Sequence, residues 1–327
     1  MSESPLPVEP ASDRRPRLGY AMAAAAATLW GVNGTVSKVI LASGISSLRL
    51  SQVRTTGALV GLVAVLVATE PRRLRAGRRE LPFLAAFGIG GLAFVQWFYF
   101  LAIHRLAIGI ALLIQYLAPL LVALWARFVL HEHVRRRVWV ALALALAGLA
   151  LIVDVRRGGR ISTGGVAFAL AAALTYAVYL LLAEHAVGRG ARRRPARAPA
   201  GGRDAVSLLA FGFAFAALFF SALAPWWSFP AGRAGADVSL LGRLGHHHAP
   251  VWSLMAWMIV AGTIAPFLLL ASALRHLPAT RVGIVAMLEP VVASVVAWAW
   301  LSESLGATEL AGAAVVLAAI VLAQTAR

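Results

Sequence analysis

Cysteine is absent from all 327 residues. That excludes disulfides, thiolate metal sites and cysteine nucleophiles, and it leaves no redox mark of a compartment. The zinc-binding pattern His-Glu-x-x-His is also missing, because His131-Glu132-His133 has the wrong spacing for it. Nor does the chain show the short alternating segments of a membrane β-barrel. A continuous basic face is lacking too, despite a formal charge of +17. The positive residues stand in short clusters between apolar runs, such as Arg72, Arg73, Arg75, Arg78 and Arg79. Nucleic-acid grooves need a folded basic surface, so no nucleic-acid partner is expected. Clusters of this kind read as topology signals facing anionic lipid.

What is abundant is apolar surface. Hydrophobic residues make up 61% of the chain, against roughly 45–50% in ordinary soluble domains. Apolar runs of roughly 20 residues, the span of a bilayer's hydrocarbon core, recur from Leu18 to Ala323. The runs predict helices over 19–41, 49–69, 82–103, 108–130, 138–155, 163–185, 206–227, 251–274, 280–301 and 307–325. Only helices and closed barrels satisfy backbone groups in lipid, and continuous runs of this length select helices. The expected fold is therefore all-α, a polytopic protein of about ten transmembrane helices in the cytoplasmic membrane.

Arg14-Arg15-Pro16-Arg17 precedes the first run and invites a signal-peptide or twin-arginine reading. The run from Leu18 to Ala42 is too long for a cleaved segment and carries Trp30, Asn33 and Lys38, so it reads as the first membrane helix. With the N-terminus inside, twenty basic residues fall in cytoplasmic segments, seven outside and three within spans. That bias places both termini in the cytoplasm.

Two segments between spans are long. Residues 186–205 are Arg, Ala, Gly and Pro, the composition of a mobile cytoplasmic linker. Residues 228–250 are polar and external, and include His246-His247-His248. Adjacent side chains project in different directions, so a solvated loop is expected there rather than a metal site. No metal or cofactor is expected elsewhere.

Self-similarity is the most informative feature. At a shift of 171, Leu106 falls on Leu277, Leu117 on Leu288, Pro119 on Pro290, Leu130 on Leu301 and Glu132 on Glu303, without a gap. At a shift of 146, Gly19 falls on Gly165, Trp30 falls on Tyr176, and the alanine runs coincide. This divides the chain into an N-terminal tail, 1–18, and two five-helix repeats, 19–155 and 156–325, with the linker between the first two helices of the second. A second copy of an odd-numbered unit enters the membrane the other way up. The expectation is an inverted-repeat pair, an arrangement found in many secondary transporters, with binding at the midplane between repeats.

The pattern resembles the EamA-type transporters of the drug/metabolite transporter superfamily. The resemblance is carried by Leu29-Trp30-Gly31-Val32-Asn33, Lys38 and Arg54 in the first half. In the second half it rests on Gly262-Thr263-Ile264-Ala265-Pro266, Ala273-Leu274, Leu288-Glu289-Pro290-Val291 and Leu301-Ser302-Glu303. It implies ten helices around a central cavity and transport of amino acids or related metabolites, with export the expected direction. One departure is that Ala118-Pro119 stands where the second half has Glu289-Pro290, so a carboxylate role lies in one half only.

Ionisable groups inside a membrane are costly, and each is a functional candidate. Glu289, near the middle of the ninth span, is a candidate proton carrier; its alternative is a structurally paired carboxyl. Pro119, Pro266 and Pro290 each remove a backbone hydrogen bond. The freed carbonyls either line a cavity or mark simple kinks. Trp30, Asn33, Gln96, Gln115, Tyr116, Tyr176 and Tyr179 form a polar and aromatic set suited to an amphipathic substrate. Trp97, Tyr99 and Trp298 belong to the same clusters, whereas Trp226, Trp227 and Trp300 read as interfacial belt residues. Lys38, Arg54 and Arg127 read as snorkelling from helix ends, with a substrate-carboxylate role the alternative for Lys38 or Arg54. Gly57 and Gly61 form a small-xxx-small pair that favours close packing.

The expected partners are a small-molecule substrate, membrane lipid and a coupling proton, with a homodimer left open. Two other readings compete: a membrane-embedded enzyme, for which no converging catalytic set is visible, and a channel or non-transporting receptor, for which no ring of like groups is visible.

Overall fold

The computed structural model describes residues 15–106, 108–153, 162–187, 204–302 and 306–325. Residues 1–14 of the N-terminal tail, most of the 186–205 linker, Glu303 and the Arg156, Arg157 and Arg160 cluster lie outside the described residues. The helices are α1 (Pro16–Ala42), α2 (Ser47–Thr69), α3 (Leu81–Ile103), α4 (Ile108–Gln115 continued by Ala118–Phe128) and α5 (Arg136–Val153). They are followed by α6 (Thr163–Val187), α7 (Ala205–Leu223), α8 (Val251–Ala273), α9 (Ala279–Ala286 continued by Leu288–Leu301) and α10 (Ala307–Thr325). Eight of them are long and apolar enough to cross a membrane; α1 and α5 are not in that set. Alanine-rich α1 carries Asn33, Thr35, Ser37 and Lys38, which dilute its apolarity.

The expected spans agree with these helices closely, except that the seventh stops at Leu223 rather than 227. Pro225 explains the stop. A residue before proline is pushed out of the helical region, and Ala224 sits at φ −135°, ψ 87°. The expected plain loop of 228–250 also has structure. It holds a short helix, Ala231–Gly235, and an antiparallel hairpin of β1 (Asp237–Ser239) and β2 (His248–Pro250). His248 is taken up in the ladder opposite Ser239. Among the described residues no group of three His, Cys, Asp or Glu side chains converges on a metal site.

Small residues set the packing. Ala23, Ala26 and Ala27 of α1 and Ala169, Ala172 and Ala173 of α6 are fully buried. Small side chains let helix backbones approach, the main source of helix association in lipid. α1 lies against α8 and α9, while α6 lies against α3 and α4; α2 pairs with α7 and α5 with α10. The α5–α10 crossing is the tightest kind, glycine on glycine. A Cβ on Gly148 would stand 2.7 Å from the Gly312 carbonyl oxygen, and one on Gly312 would stand 2.5 Å from that of Gly148. Gly57 and Gly61 meet Ile259 and Ile264 of α8, in keeping with the expected close approach.

Local irregularities recur at the 171-residue shift. α3 winds as a π-helix over 86–93 and α8 over 260–264. α4 is interrupted at Tyr116-Leu117 and α9 at Met287. Each of these helices is followed by a residue in the left-handed region, His131 (φ 53°) after α4 and Ser302 (φ 62°) after α9. Non-glycine residues rarely adopt that conformation.

Polar contacts tie the two ends of the bundle separately. At one end Arg73 pairs with Asp204, Ser207 Oγ donates to the Arg73 carbonyl at 2.8 Å, and Arg137 reaches the Thr325 carbonyl at 3.3 Å. At the other, Arg49 donates to the carbonyls of Ala224 and Pro225 at 2.9 and 3.0 Å. There too Arg233 reaches the Gly44 carbonyl, and Trp300 Nε1 donates to the Leu240 carbonyl at 2.8 Å. Trp300 is thus held by the segment that follows β1. Trp227, 90% exposed, keeps the surface position expected of it.

Candidate substrate site

Two broken helices meet at the centre. Pro119 is the second residue and Pro290 the third of the segments that resume α4 and α9. Proline has no N–H, so the carbonyl four residues earlier loses its helical donor. For Pro290 that carbonyl belongs to Ala286, and Tyr116 at the break in α4 supplies a hydroxyl 3.3 Å away. The same hydroxyl lies 2.7 Å from Glu289 Oε2. A phenol has one proton to donate, and the nearer carboxylate is the better acceptor. Tyr116 is almost fully buried and Glu289 partly so, which leaves the second carboxylate oxygen for another partner.

Pro266 repeats the device in α8. Its missing N–H frees the Gly262 carbonyl, and Arg54 Nη2 donates to that oxygen at 3.3 Å. Arg54 Nε donates to Thr263 Oγ1 at 3.2 Å, and that hydroxyl in turn donates to the Met258 carbonyl at 3.0 Å, within the π-helical turn. Arg54 therefore does not snorkel from a helix end. It points inward and holds α2 to the irregular part of α8. Sequence inspection finds the freed carbonyl from the proline but not the residue that caps it.

Charge gathers around Glu289. Arg54 is within its electrostatic reach, as are the phenols of Tyr99, Tyr116 and Tyr176. One turn of α1 touches both groups. Gly31 abuts the Glu289 carbonyl, where a Cβ would stand 2.9 Å away, and Asn33 is packed directly on Gly262. Asn33 Oδ1, Gln115 Oε1 and the Tyr179 hydroxyl are buried without a hydrogen-bond partner among the described residues. Such atoms are costly in a closed interior and call for an explanation.

An aromatic wall continues from this cluster. Trp30 meets Phe267 edge-on at 5.1 Å, Phe267 meets Tyr179 at 5.7 Å, and Tyr179 stacks on Tyr176 at 6.2 Å. Phe87 and Phe267, which composition does not single out, complete it. Gln96 sits at the α2–α3 interface instead, accepting from Ser51 Oγ and donating to the Leu92 carbonyl, both at 3.2 Å. Trp298 lies apart as well, 46% exposed, with Arg243 over its ring at 5.5 Å.

The Tyr116–Glu289 bond is open to a mild test. Tyr116→Phe removes a hydrogen bond to a charged acceptor, worth about 1.5–3 kcal/mol, while keeping the ring. A folded protein with transport reduced about tenfold is expected in a vesicle flux assay; unchanged flux would make the contact incidental.

The profile of the EamA-like transporter family matches residues 17–154 and again residues 163–325. The chain belongs to the EamA-like transporter family. Its relatives include the threonine/homoserine exporter RhtA of Escherichia coli K12, 27% identical over 85% of this chain and 80% of that protein. An uncharacterized transporter of Archaeoglobus fulgidus is 27% identical over 89% and 91% of the two chains. The transporter YwfM of Bacillus subtilis is 26% identical over 89% and 88%. A solved crystal structure aligns with a TM-score of 0.71 at 18% identity, covering 93% of this chain and 96% of that one, a likeness of fold alone. As an EamA-like transporter built of apolar helices, the protein is a multi-pass membrane protein.

Proposed function

We infer that the protein is a secondary transporter of the cell membrane that exports a small metabolite, an amino acid or a related compound, by alternating access. The observation that carries this reading is the Glu289–Tyr116 contact between the two broken helices, α4 and α9. A carboxylate at such a junction sits where one half of the molecule moves against the other. The name of the RhtA relative supports both the direction and the substrate class. In this reading Trp30, Asn33, Gln115, Tyr116, Tyr176, Tyr179 and Glu289 face the substrate or its path, Gln96 fixes α2 to α3 beside them, and the breaks at Pro119, Pro266 and Pro290 are the hinges. Glu289 carries the coupling proton.

Ten membrane helices in two inverted repeats, 19–155 and 156–325, are part of the proposal. Gly19 meets His276 and Leu277, and Gly165 meets Arg105 and Leu106. The 146- and 171-residue shifts exchange these two contacts. The recurring π-helices, breaks and left-handed residues obey the same exchange, and the family profile matches twice. Two inverted copies of one plan give inward-open and outward-open states of similar energy.

The test is flux in sealed vesicles. Saturable counterflow of a trapped amino acid identifies a carrier; unsaturable flux would identify a channel, and chemical conversion of the solute an enzyme. Orientation has its own test, helped by the lack of native cysteine. A thiol at Arg78→Cys should label only after the membrane is opened, and one at Trp227→Cys should label in intact cells. The reverse pattern would place the termini outside.

A further inference from the structure

The transporter reading leaves Arg54 without a task. Its guanidinium is held in place, not free. Nε and Nη2 are spent on Thr263 and on the Gly262 carbonyl that Pro266 frees, and Nη1 is left over. Glu289 is held likewise, with Oε2 on Tyr116 and Oε1 left over. Both side chains are partly exposed rather than sealed. They make no direct ion pair within the described residues. Opposite charges this expensive inside a membrane normally pair with one another. Here hydrogen bonds anchor Arg54 to α8 and Glu289 of α9 to Tyr116 of α4, and one turn of α1 spaces them, Gly31 lying on the Glu289 backbone and Asn33 on Gly262.

We propose that Arg54 is the carboxylate-binding pole and Glu289 the ammonium-binding pole of one site, which takes compact zwitterions of the α-amino acid type. This rests on the transporter reading and names the recognition chemistry within it. The Nη1–Nη2 edge suits a carboxylate, because Nη1 and the second hydrogen of Nη2 are two parallel donors in a fixed plane. An ammonium suits Glu289, whose Oε1 is left over beside the Tyr116 contact to Oε2. A zwitterion neutralises both poles and carries no net charge through the bilayer. It also ties substrate to proton. The ammonium and a proton compete for the same carboxylate, so a proton replaces the substrate when it leaves, and the empty site returns with Glu289 neutral.

The experiment uses the full chain, purified, and reads ligand binding as thermal stabilisation. Twenty proteinogenic amino acids are screened. The best is then compared with its carboxamide, which lacks the carboxylate, and with its deaminated acid, which lacks the ammonium. The parent should bind each analogue at least tenfold more weakly than the amino acid. Arg54→Gln should bind the amino acid and its carboxamide equally, whereas Arg54→Lys should regain part of the preference for the acid. Glu289→Gln should lose only the preference for the ammonium. The analogue series on the parent needs no variant, so a misfolded Arg54→Gln does not spare the proposal. Failure of every amino acid to stabilise the parent would overturn it, as would an Arg54→Gln protein that still prefers acid to amide. Counterflow measured alongside separates the two levels. Counterflow of a solute that is not a zwitterion would keep the transporter reading and end this one. Selective zwitterion binding without counterflow would do the reverse.

Discussion

Glu289→Gln should abolish accumulation of substrate against its gradient while leaving expression and folding near those of the parent. Glutamine keeps the size and the hydrogen-bonding shape of the side chain and removes its ability to change charge. Tyr116 still has an acceptor in the amide oxygen, so the α4–α9 junction survives. What is lost is the exchange of a proton for a substrate ammonium. A unit charge crossing 100 mV is worth about 2.3 kcal/mol, a bias of roughly fiftyfold. Uptake into inverted vesicles with and without an imposed pH gradient measures it. The parent should concentrate substrate only with the gradient, and the variant in neither condition. Downhill exchange can persist in the variant, which makes the gradient the decisive comparison. A Glu289→Gln protein that concentrates substrate as well as the parent would reduce Glu289 to a structural residue.

Gly312→Leu should be the most damaging single substitution away from the site. A Cβ at Gly312 meets the Gly148 carbonyl oxygen at 2.5 Å and the Ile152 backbone nitrogen at 2.8 Å. Neither atom belongs to a flexible side chain, so the α5 and α10 backbones must separate. Overpacking a core costs about 1–3 kcal/mol where side chains can yield, and here the obstacle is main chain. Loss of monodisperse protein, or a melting temperature lower by about 6 °C or more, is expected. Gly34→Ala is the matched control, because a Cβ there meets nothing within 4 Å. In an exposed helical position alanine is favoured over glycine by about 0.5–1 kcal/mol, so that variant should melt no lower than the parent. Equal melting of all three proteins would show that the α5–α10 crossing tolerates separation.

Most of the fold was legible because lipid restricts the options. A backbone that must satisfy itself in hydrocarbon forms a helix wherever an apolar run is long enough, and residues 163–185 or 307–325 needed nothing more. The duplication was legible too. Gly19 and Gly165 fill equivalent contacts, and the alanine runs of both copies are buried at helix crossings. Proline identified the carbonyls at Gly262 and Ala286 as unpaired, since that follows from covalent structure alone. Hairpin β1–β2 was missed because three-residue strands in a polar segment leave no periodic signal.

The partners of those carbonyls were decided only by the tertiary structure. Arg54 was misjudged as snorkelling because its place along α2 gives its depth but not its direction, and the direction depends on α8 arriving with the Gly262 carbonyl and the Thr263 hydroxyl turned toward α2. Tyr116 and Glu289 are 173 residues apart, and no local pattern announces that one hydroxyl will lie between the carboxylate and the Ala286 carbonyl. Gln96 and Trp298 carried the same composition signal as Trp30 and Tyr176 yet point to a helix interface and to the surface. Chain chemistry determines which groups are costly to bury or leave unpaired. The packing of α1, α2, α8 and α9 around one another determines which of them meet, because a side chain's neighbours in a helix bundle come from other helices.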